Sequence, residues 1–347
     1  MTVQHGAAPT DPVPVVADIA TVADDEVVWF VGATRREING VRPGTEVDVQ
    51  GVTVRTLDRP GELLCRFATI NDVHFGETVA GVVSGTDIGP TFSVPDGEEP
   101  YPEFMNRGAV AAMAAIDPAV VLAKGDLTAS GVDAEYQRFI DVYQTAFGDR
   151  LMHIRGNHDA YHGATFADTS VQSRDLPGVT VAMIDTSRIH QVNGSVGADQ
   201  LEWLDELAAR ADRPVLLFGH HHIWNPDRDP RRDDHFGIRP TDSEALIEVF
   251  VRRKSLVGYF AGHTHRNHRQ LIEATGEVPW VEVACVKDYP GSWAEYRVFD
   301  GGILQIHRRI DTPEALAWSE QTRHMYRGAY AAYASGTLQD RCFPIPI

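Results

Sequence analysis

A mixed α/β fold built around a parallel sheet is what this chain predicts, and three observations carry that expectation. From Leu63 onward, apolar β-branched runs alternate with segments of helical period, the pattern of strands joined by helical crossovers. Five of the runs end in short polar signatures: Asp72-Val73-His74, Gly125-Asp126, Gly156-Asn157-His158-Asp159, Gly219-His220-His221-His222 and Gly262-His263-Thr264-His265. Sites in such sheets lie beyond the carboxyl ends of the strands, so all five are expected on one rim. Finally, 347 residues with 43% hydrophobic content are enough for one large core or two modest ones.

Residues 1–22, rich in Ala, Pro, Val and Asp and without a helical period, are expected to form a loose arm. Stretches 27–31, 45–49 and 52–57 follow, separated by Asn39-Gly40, Pro43-Gly44 and Gly51, and predict a small antiparallel unit. Fewer than about 40 residues make a poor independent core, so the unit is expected to extend an edge of the main sheet. Next come a strand over 64–70, a helix over 103–116, a strand over 120–123, an amphipathic helix over 134–147 and a strand over 151–154. A strand over 179–184, a helix over 198–210, a strand over 215–218, a helix over 243–253 and a strand over 256–260 continue the alternation. Stretches 279–286, 295–299 and 303–308 are expected to close the fold as antiparallel strands.

The organisation read from this pattern is an N-terminal arm with a small β extension over 1–60, a main domain over 61–312 and a C-terminal helical tail over 313–347. The tail carries Tyr326, Tyr330 and Tyr333 on an expected helix. It ends in the apolar run Phe343-Pro344-Ile345-Pro346-Ile347, expected to dock on its own fold or on a second copy in a homodimer. The Gly-rich insert 81–100 and the charged loop 223–240 follow two of the strand ends and read as rims over the site.

A net charge of −18 repels nucleic acid and anionic membranes and favours a small-molecule partner. Three cysteines, Cys65, Cys285 and Cys342, are odd in number and lack CxxC spacing, which fits a reducing compartment. The opening MTVQHGAAPTDPVPVV has no basic region followed by an apolar one. No apolar run approaches the ~20 residues that span a bilayer. A cytoplasmic protein without membrane association is expected.

Carboxylates, an amide oxygen and imidazoles brought to one place form a donor set for two divalent ions. Ions roughly 3.5–4 Å apart make the clamp used in in-line phosphoryl transfer. Asp72 and His74, like His263 and His265, are two residues apart and would face the same side of an extended strand end. Gly precedes Asp126, Asn157, His220 and His263, where it lets the backbone turn and approach closely. Asp126 is the best bridge, since a carboxylate offers one oxygen to each ion. Two ions contribute about +4, two carboxylates −2 and a bridging hydroxide −1, so about +1 remains to attract a phosphate.

In this order, D-x-H, G-D, G-N-H-D, G-H and G-H-x-H, the signatures resemble those of the calcineurin-like metallophosphoesterases. Within them the chain looks most like the bacterial class III cyclic-nucleotide phosphodiesterase and glycerophosphodiesterase branch. The resemblance spans about residues 61–310. It implies a four-layer α-β-β-α sandwich of two mixed sheets flanked by helices, with 61–312 as the catalytic domain. One ion would take Asp72, His74, Asp126 and His265; the other would share Asp126 and take Asn157, His220 and His263. His158 would sit over the phosphate and protonate or hydrogen-bond the leaving oxygen, with Asp159 fixing its ring. The implied reaction is hydrolysis of small phosphodiesters, cyclic nucleotides among them, by in-line attack of a hydroxide bridging the ions. Fe, Mn, Zn and Co all suit such mixed ligands.

One departure stands out. Where many relatives have His-His-Pro-Pro or His-Tyr-Pro, this chain has His220-His221-His222-Ile223-Trp224. Aligning Trp224 with the aromatic or proline makes His220 the ligand, with His221 the fallback. A phosphomonoesterase or a nuclease of the same fold are the alternatives, and the absence of a basic stripe counts against the nuclease. A non-catalytic scaffold is disfavoured because no ligand is missing. Weaker expectations attach to His153 as a support for a ligand. Arg155 and Arg266 are either phosphate contacts or ion-paired, and Trp224 and Trp293 either line the pocket or pack.

Overall fold

The computed structural model describes residues 17–83 and 85–347, and it contains two mixed sheets of six strands each. In the first, Leu151–Ile154, Val121–Lys124 and Leu63–Ile70 run parallel, followed by Ser292–Phe299, Gly302–Arg309 and Phe343–Ile345 antiparallel. In the second, Val179–Ile184, Val215–Phe218, Leu256–Ala261 and Trp280–Glu282 run parallel between two antiparallel edges, Val171–Leu176 and His268–Gln270. The central strands are continuous apolar runs such as VTVAMI and LVGYFA, buried at every residue. That is how a strand covered on both faces reads.

Four layers result. Between the sheets, Phe67 stacks on Tyr296 at 4.5 Å and meets Phe218 edge-on. Aromatic pairs of this kind add about 0.5–1.5 kcal/mol beyond their buried area. Helices Tyr101–Ala114 and Pro313–Thr322 cover the parallel half of the first sheet, where Met105, Ala109 and Trp318 join Ile70, Val121 and Ala123 in one core. Helices Ala198–Arg210 and Pro240–Arg252 cover the second sheet through Leu204, Leu246 and Phe250. The run expected over 134–147 is helical but broken by a π turn at Ile140–Gln144. No described helix is long and apolar enough to cross a membrane.

The N-terminal region differs from expectation. The arm expected over 1–22 lies outside the described residues up to 16. From Asp18 to Val22 it is a strand, paired with Glu26–Val31 and then Thr34–Asn39 in a separate three-stranded sheet. Glu46–Val49 and Val52–Arg55 form a separate hairpin. Neither extends an edge of the main sheets. Ile19, Val22, Val27, Val49 and Val54 instead pack on Phe299, Leu304 and Ile306, covering the antiparallel half of the first sheet. The edge was not available: it belongs to the C-terminus, whose Phe343–Ile345 pairs with Gly302–Arg309. Pro344 is tolerated there because an edge strand needs no donor on its outer side.

Candidate metal centre

The parallel strands stop at Ile70, Lys124, Ile154, Phe218 and Ala261, and the five signatures begin within two residues of these ends. The backbone beyond is not extended, as the two-residue spacing suggested. Asp72, His74, Asp126, His263 and His265 have φ of 53°, 48°, 49°, 69° and 56°. Side chains two apart converge because the chain coils left-handed, not because a strand alternates. Each such residue costs on the order of 1–3 kcal/mol, and persists here because the loops are cross-tied. Asp72 N–H donates to Gly125 O, Val73 and His74 N–H to Asp126 O, and Gly262 N–H to His220 O, at 2.9–3.1 Å.

Of the glycines, only Gly125 among the four before a ligand has positive φ, at 86°. The others clear space: a side chain would strike Asp126 from Gly156, the Tyr259 hydroxyl from Gly219, and Asn71 and Asp72 from Gly262.

All seven predicted ligands meet at this rim. Asp72 Oδ1 lies 3.4 Å from His265 Nε2, Asp126 Oδ2 3.4 Å from His74 Nε2, and Asp126 Oδ1 3.3 Å from His220 Nε2. His220 Nε2 is also 3.0 Å from Asn157 Oδ1. Asp126 thus stands between the two sets, with one oxygen toward each. His263 joins on the His220 side, its ring 5.1 Å from that of His220.

The backs of the rings are tied off. A carbonyl only accepts, so His220 Nδ1–H donates to Lys124 O at 2.8 Å and His263 Nε2–H to Phe236 O at 3.0 Å. That leaves Nε2 of His220 and Nδ1 of His263 as the atoms that can take a cation. Asn157 Nδ2 donates to the Tyr161 hydroxyl at 2.6 Å, which turns Oδ1 inward. His74 Nδ1 lies 2.9 Å from Glu77 Oε2 and its Nε2 3.4 Å from Asp126 Oδ2; both nitrogens are buried and neither completes a hydrogen bond. His220 Nε2 therefore faces Asn157 Oδ1 and Asp126 Oδ1, an arrangement that a cation, proton or metal ion, holds together. The donors fit metal binding.

Charge agrees with that fit. Burial opposes ionisation of Asp72 and Asp126, yet His265 and His220 outweigh it and hold both carboxyls below their usual range. Burial also depresses His74 and His220, but Glu77 and Asp126 lift His74 to about 10, and Asp126 lifts His220 to about 9. The carboxylates draw positive charge into the space between them.

His220 and His221 differ in their hydrogen bonds. Both nitrogens of His221 are engaged: Nε2–H donates to Val192 O at 3.0 Å, and Nδ1 accepts from the Thr186 hydroxyl at 2.8 Å. It is close enough to group with His220 and His263, but has no lone pair left to offer. His158 Nδ1–H donates to Ala129 O at 2.8 Å, and its ring lies 4.5 Å from that of His74.

Asp159 does not fix the His158 ring. Its carboxylate accepts from Leu127, Thr128 and Gly156 N–H and from the Thr128 hydroxyl, pinning the Gly125-Asp126 loop to the following one. Burial raises it to about 6 against those donors. Adjacent in sequence, the two side chains diverge by about 100° in a short helix, Asn157–Ala160.

His153 meets the Tyr136 hydroxyl at 2.9 Å and supports no ligand. Arg155 pairs with Asp185, and Arg266 with Glu282. Trp224 and Trp293 are buried in packing. Sequence reasoning missed Glu77, which bonds Lys287 at 2.6 Å behind His74. It also missed Lys124, fully buried, which donates to Asn71 Oδ1 while Asn71 donates to Asp72 Oδ2. Glu77 stands three residues after His74, and Lys124 is a charge ending an apolar strand; those were the available signals. Cys285 and Asp288 approach His265, but the thiol donates to Asp288 and burial pushes it up, so it stays protonated.

A sandwich of two mixed sheets with this carboxylate, amide and imidazole rim defines a class of phosphate-ester hydrolases. The family model for calcineurin-like phosphoesterases matches residues 65–267, and the chain belongs to that family. A probable cyclic nucleotide phosphodiesterase from Synechococcus sp. is 27% identical over 161 residues, which is 43% of this chain and 58% of that protein. The chain therefore matches less than two thirds of that relative's length. A dimetal phosphatase from Danio rerio shares the fold with a TM-score of 0.55 at 16% identity, over 72% of this chain and 97% of that one.

Proposed function

We propose that the chain is a phosphodiesterase acting on small molecules with two metal ions. Asp72, His74, Asp126 and His265 would hold one ion, and Asp126, Asn157, His220 and His263 the other. When bound, the ions would supply Lewis-acid polarisation of the phosphoryl group and a nucleophile at neutral pH. Mixed nitrogen and oxygen donors suit Fe, Mn, Zn or Co. The observation that carries the reading is His220 Nε2 facing Asn157 Oδ1 at 3.0 Å and Asp126 Oδ1 at 3.3 Å.

In this reading His158 serves the leaving group. Its Nδ1–H is spent on Ala129 O, so Nε2 is the atom left for an ester oxygen. Burial lowers its pKa, with Asp126 pulling the other way; the ring is neutral until a substrate's charge brings a proton to it. Asp159 and Glu77 hold the loops and the His74 ring. Diester preference is supported by the curated relative, named as a probable cyclic nucleotide phosphodiesterase. A reducing, cytoplasmic setting belongs to this reading.

The test is a panel of small diesters, monoesters and a single-stranded oligonucleotide offered to metal-loaded protein. Turnover of diesters that a chelator abolishes is expected. Turnover confined to monoesters or to the oligonucleotide would refute the reading.

A further inference from the structure

We infer that the ester group retained on phosphorus is an uncharged aromatic one, seated in an apolar cavity that this chain builds beside His263 and His265. The inference rests on the phosphodiesterase reading above and names the substrate class for it.

A cavity of about 460 Å³ opens against His263, Thr264 and His265, within the range of small-molecule sites. Its walls are Val83 and Ile88 from the insert, Phe236 from the charged loop, and Tyr326, Tyr330 and Tyr333 from the C-terminal tail. Among the described residues, no Lys, Arg, Asp or Glu lines it. A second phosphate or a charged headgroup would lose its water there without a partner, which is costly. A ring would bury its faces on four aromatic walls at no such cost.

The walls are fastened to the candidate ligands themselves. The Phe236 ring lies on that of His263, centroids 4.0 Å apart, and its carbonyl accepts from the same imidazole. Tyr333 donates its hydroxyl to Thr264 O at 2.9 Å. His158 does not line the cavity, so in-line geometry puts the leaving group at His158 and the retained group here.

Two further facts favour substrate over plain packing. Phe236 is 51% exposed, Tyr333 44%, Val83 41% and Ile88 40%, an apolar rim that a chain of net charge −18 does not need for solubility. The tyrosines also lie beyond residues 65–267, the stretch the family model matches.

The experiment compares methyl p-nitrophenyl phosphate with phenyl p-nitrophenyl phosphate on the metal-loaded protein, so that only the retained group changes. The phenyl ester is expected to have the higher kcat/KM by about tenfold or more, and Ile88→Asp, on an exposed loop, should bring the two rates together. Equal values in the unmodified protein, or a ratio that survives both Ile88→Asp and Phe236→Ala, would overturn the inference while leaving the phosphodiesterase reading intact. If neither ester turns over, that reading fails, and calorimetric binding of phenylphosphonate against methylphosphonate then judges the cavity alone. Tighter phenylphosphonate supports it; equal binding overturns it.

Discussion

Two regions of this molecule bury charge, and they do so in opposite ways. Under the N-terminal strands, Glu295 is fully buried and accepts from Arg297 and Arg308 at 2.8 Å each. Arg297 in turn reaches Asp24, Asp25 and Glu26 at 2.5–3.1 Å. Each of these carboxylates meets a guanidinium, and none of these residues has positive φ. At the rim, Asp72 and Asp126 are equally buried, yet they meet imidazoles at 3.3–3.4 Å in place of guanidinium groups, and five backbones are left-handed. Paired burial builds structure. Carboxylates buried against titratable imidazoles and held on strained backbone are what a site looks like when the fold is shaped for something else to complete it.

Breaking each region should therefore read out differently. His158→Ala should lower kcat by about 10²–10⁴, without loss of metal or of thermal stability. The loss should shrink for esters with good leaving groups; an equal loss on all would remove the proton role. Glu295→Gln should do the reverse, costing about 3 kcal/mol of unfolding free energy for a broken buried pair and leaving turnover per folded molecule unchanged. Burial raises the Glu295 pKa, but Arg308 and Arg297 outweigh it and the folded value is lowered. Its contribution is thus present above the unfolded value of about 4.3 and lost as pH falls through the folded one. Denaturant titrations should show the gap between variant and parent closing below that pH.

Smaller effects sharpen the comparison. Glu77→Gln leaves Lys287 buried and His74 unsupported, and should cost about 10–100-fold in metal affinity, measured by competition with a chromogenic chelator. His221→Ala should leave metal stoichiometry unchanged, whereas His220→Ala should reduce it. A drop in the first and not the second would reverse the assigned register.

Much of this was legible in the sequence because apolar runs and their polar endings are local. Strands at Leu151–Ile154, Val179–Ile184 and Val215–Phe218, and the helix Ala198–Arg210, stand at the expected residues. The seven donors met because a parallel sheet delivers its strand ends to one rim. What stayed hidden depends on distant partners. The edge strand Val171–Leu176, reading VQSRDL, is polar and visible only through its pairing with Val179–Ile184. Trp280–Glu282 was expected to be antiparallel and runs parallel to Leu256–Ala261, a register that tertiary packing sets. Left-handed loops at Asp72 and Asp126, the Glu77–Lys287 pair and the tyrosine cavity all join residues far apart in the chain or depend on backbone angles that residue type does not announce.

Elemental analysis of protein saturated with Mn or Zn and then desalted tests the central claim most directly, with Asp126→Ala beside it. Two ions per chain in the parent and fewer in the variant, with diesterase activity following the metal, is the predicted result. A parent protein that carries no metal, or a variant that keeps both ions and full activity, would contradict it.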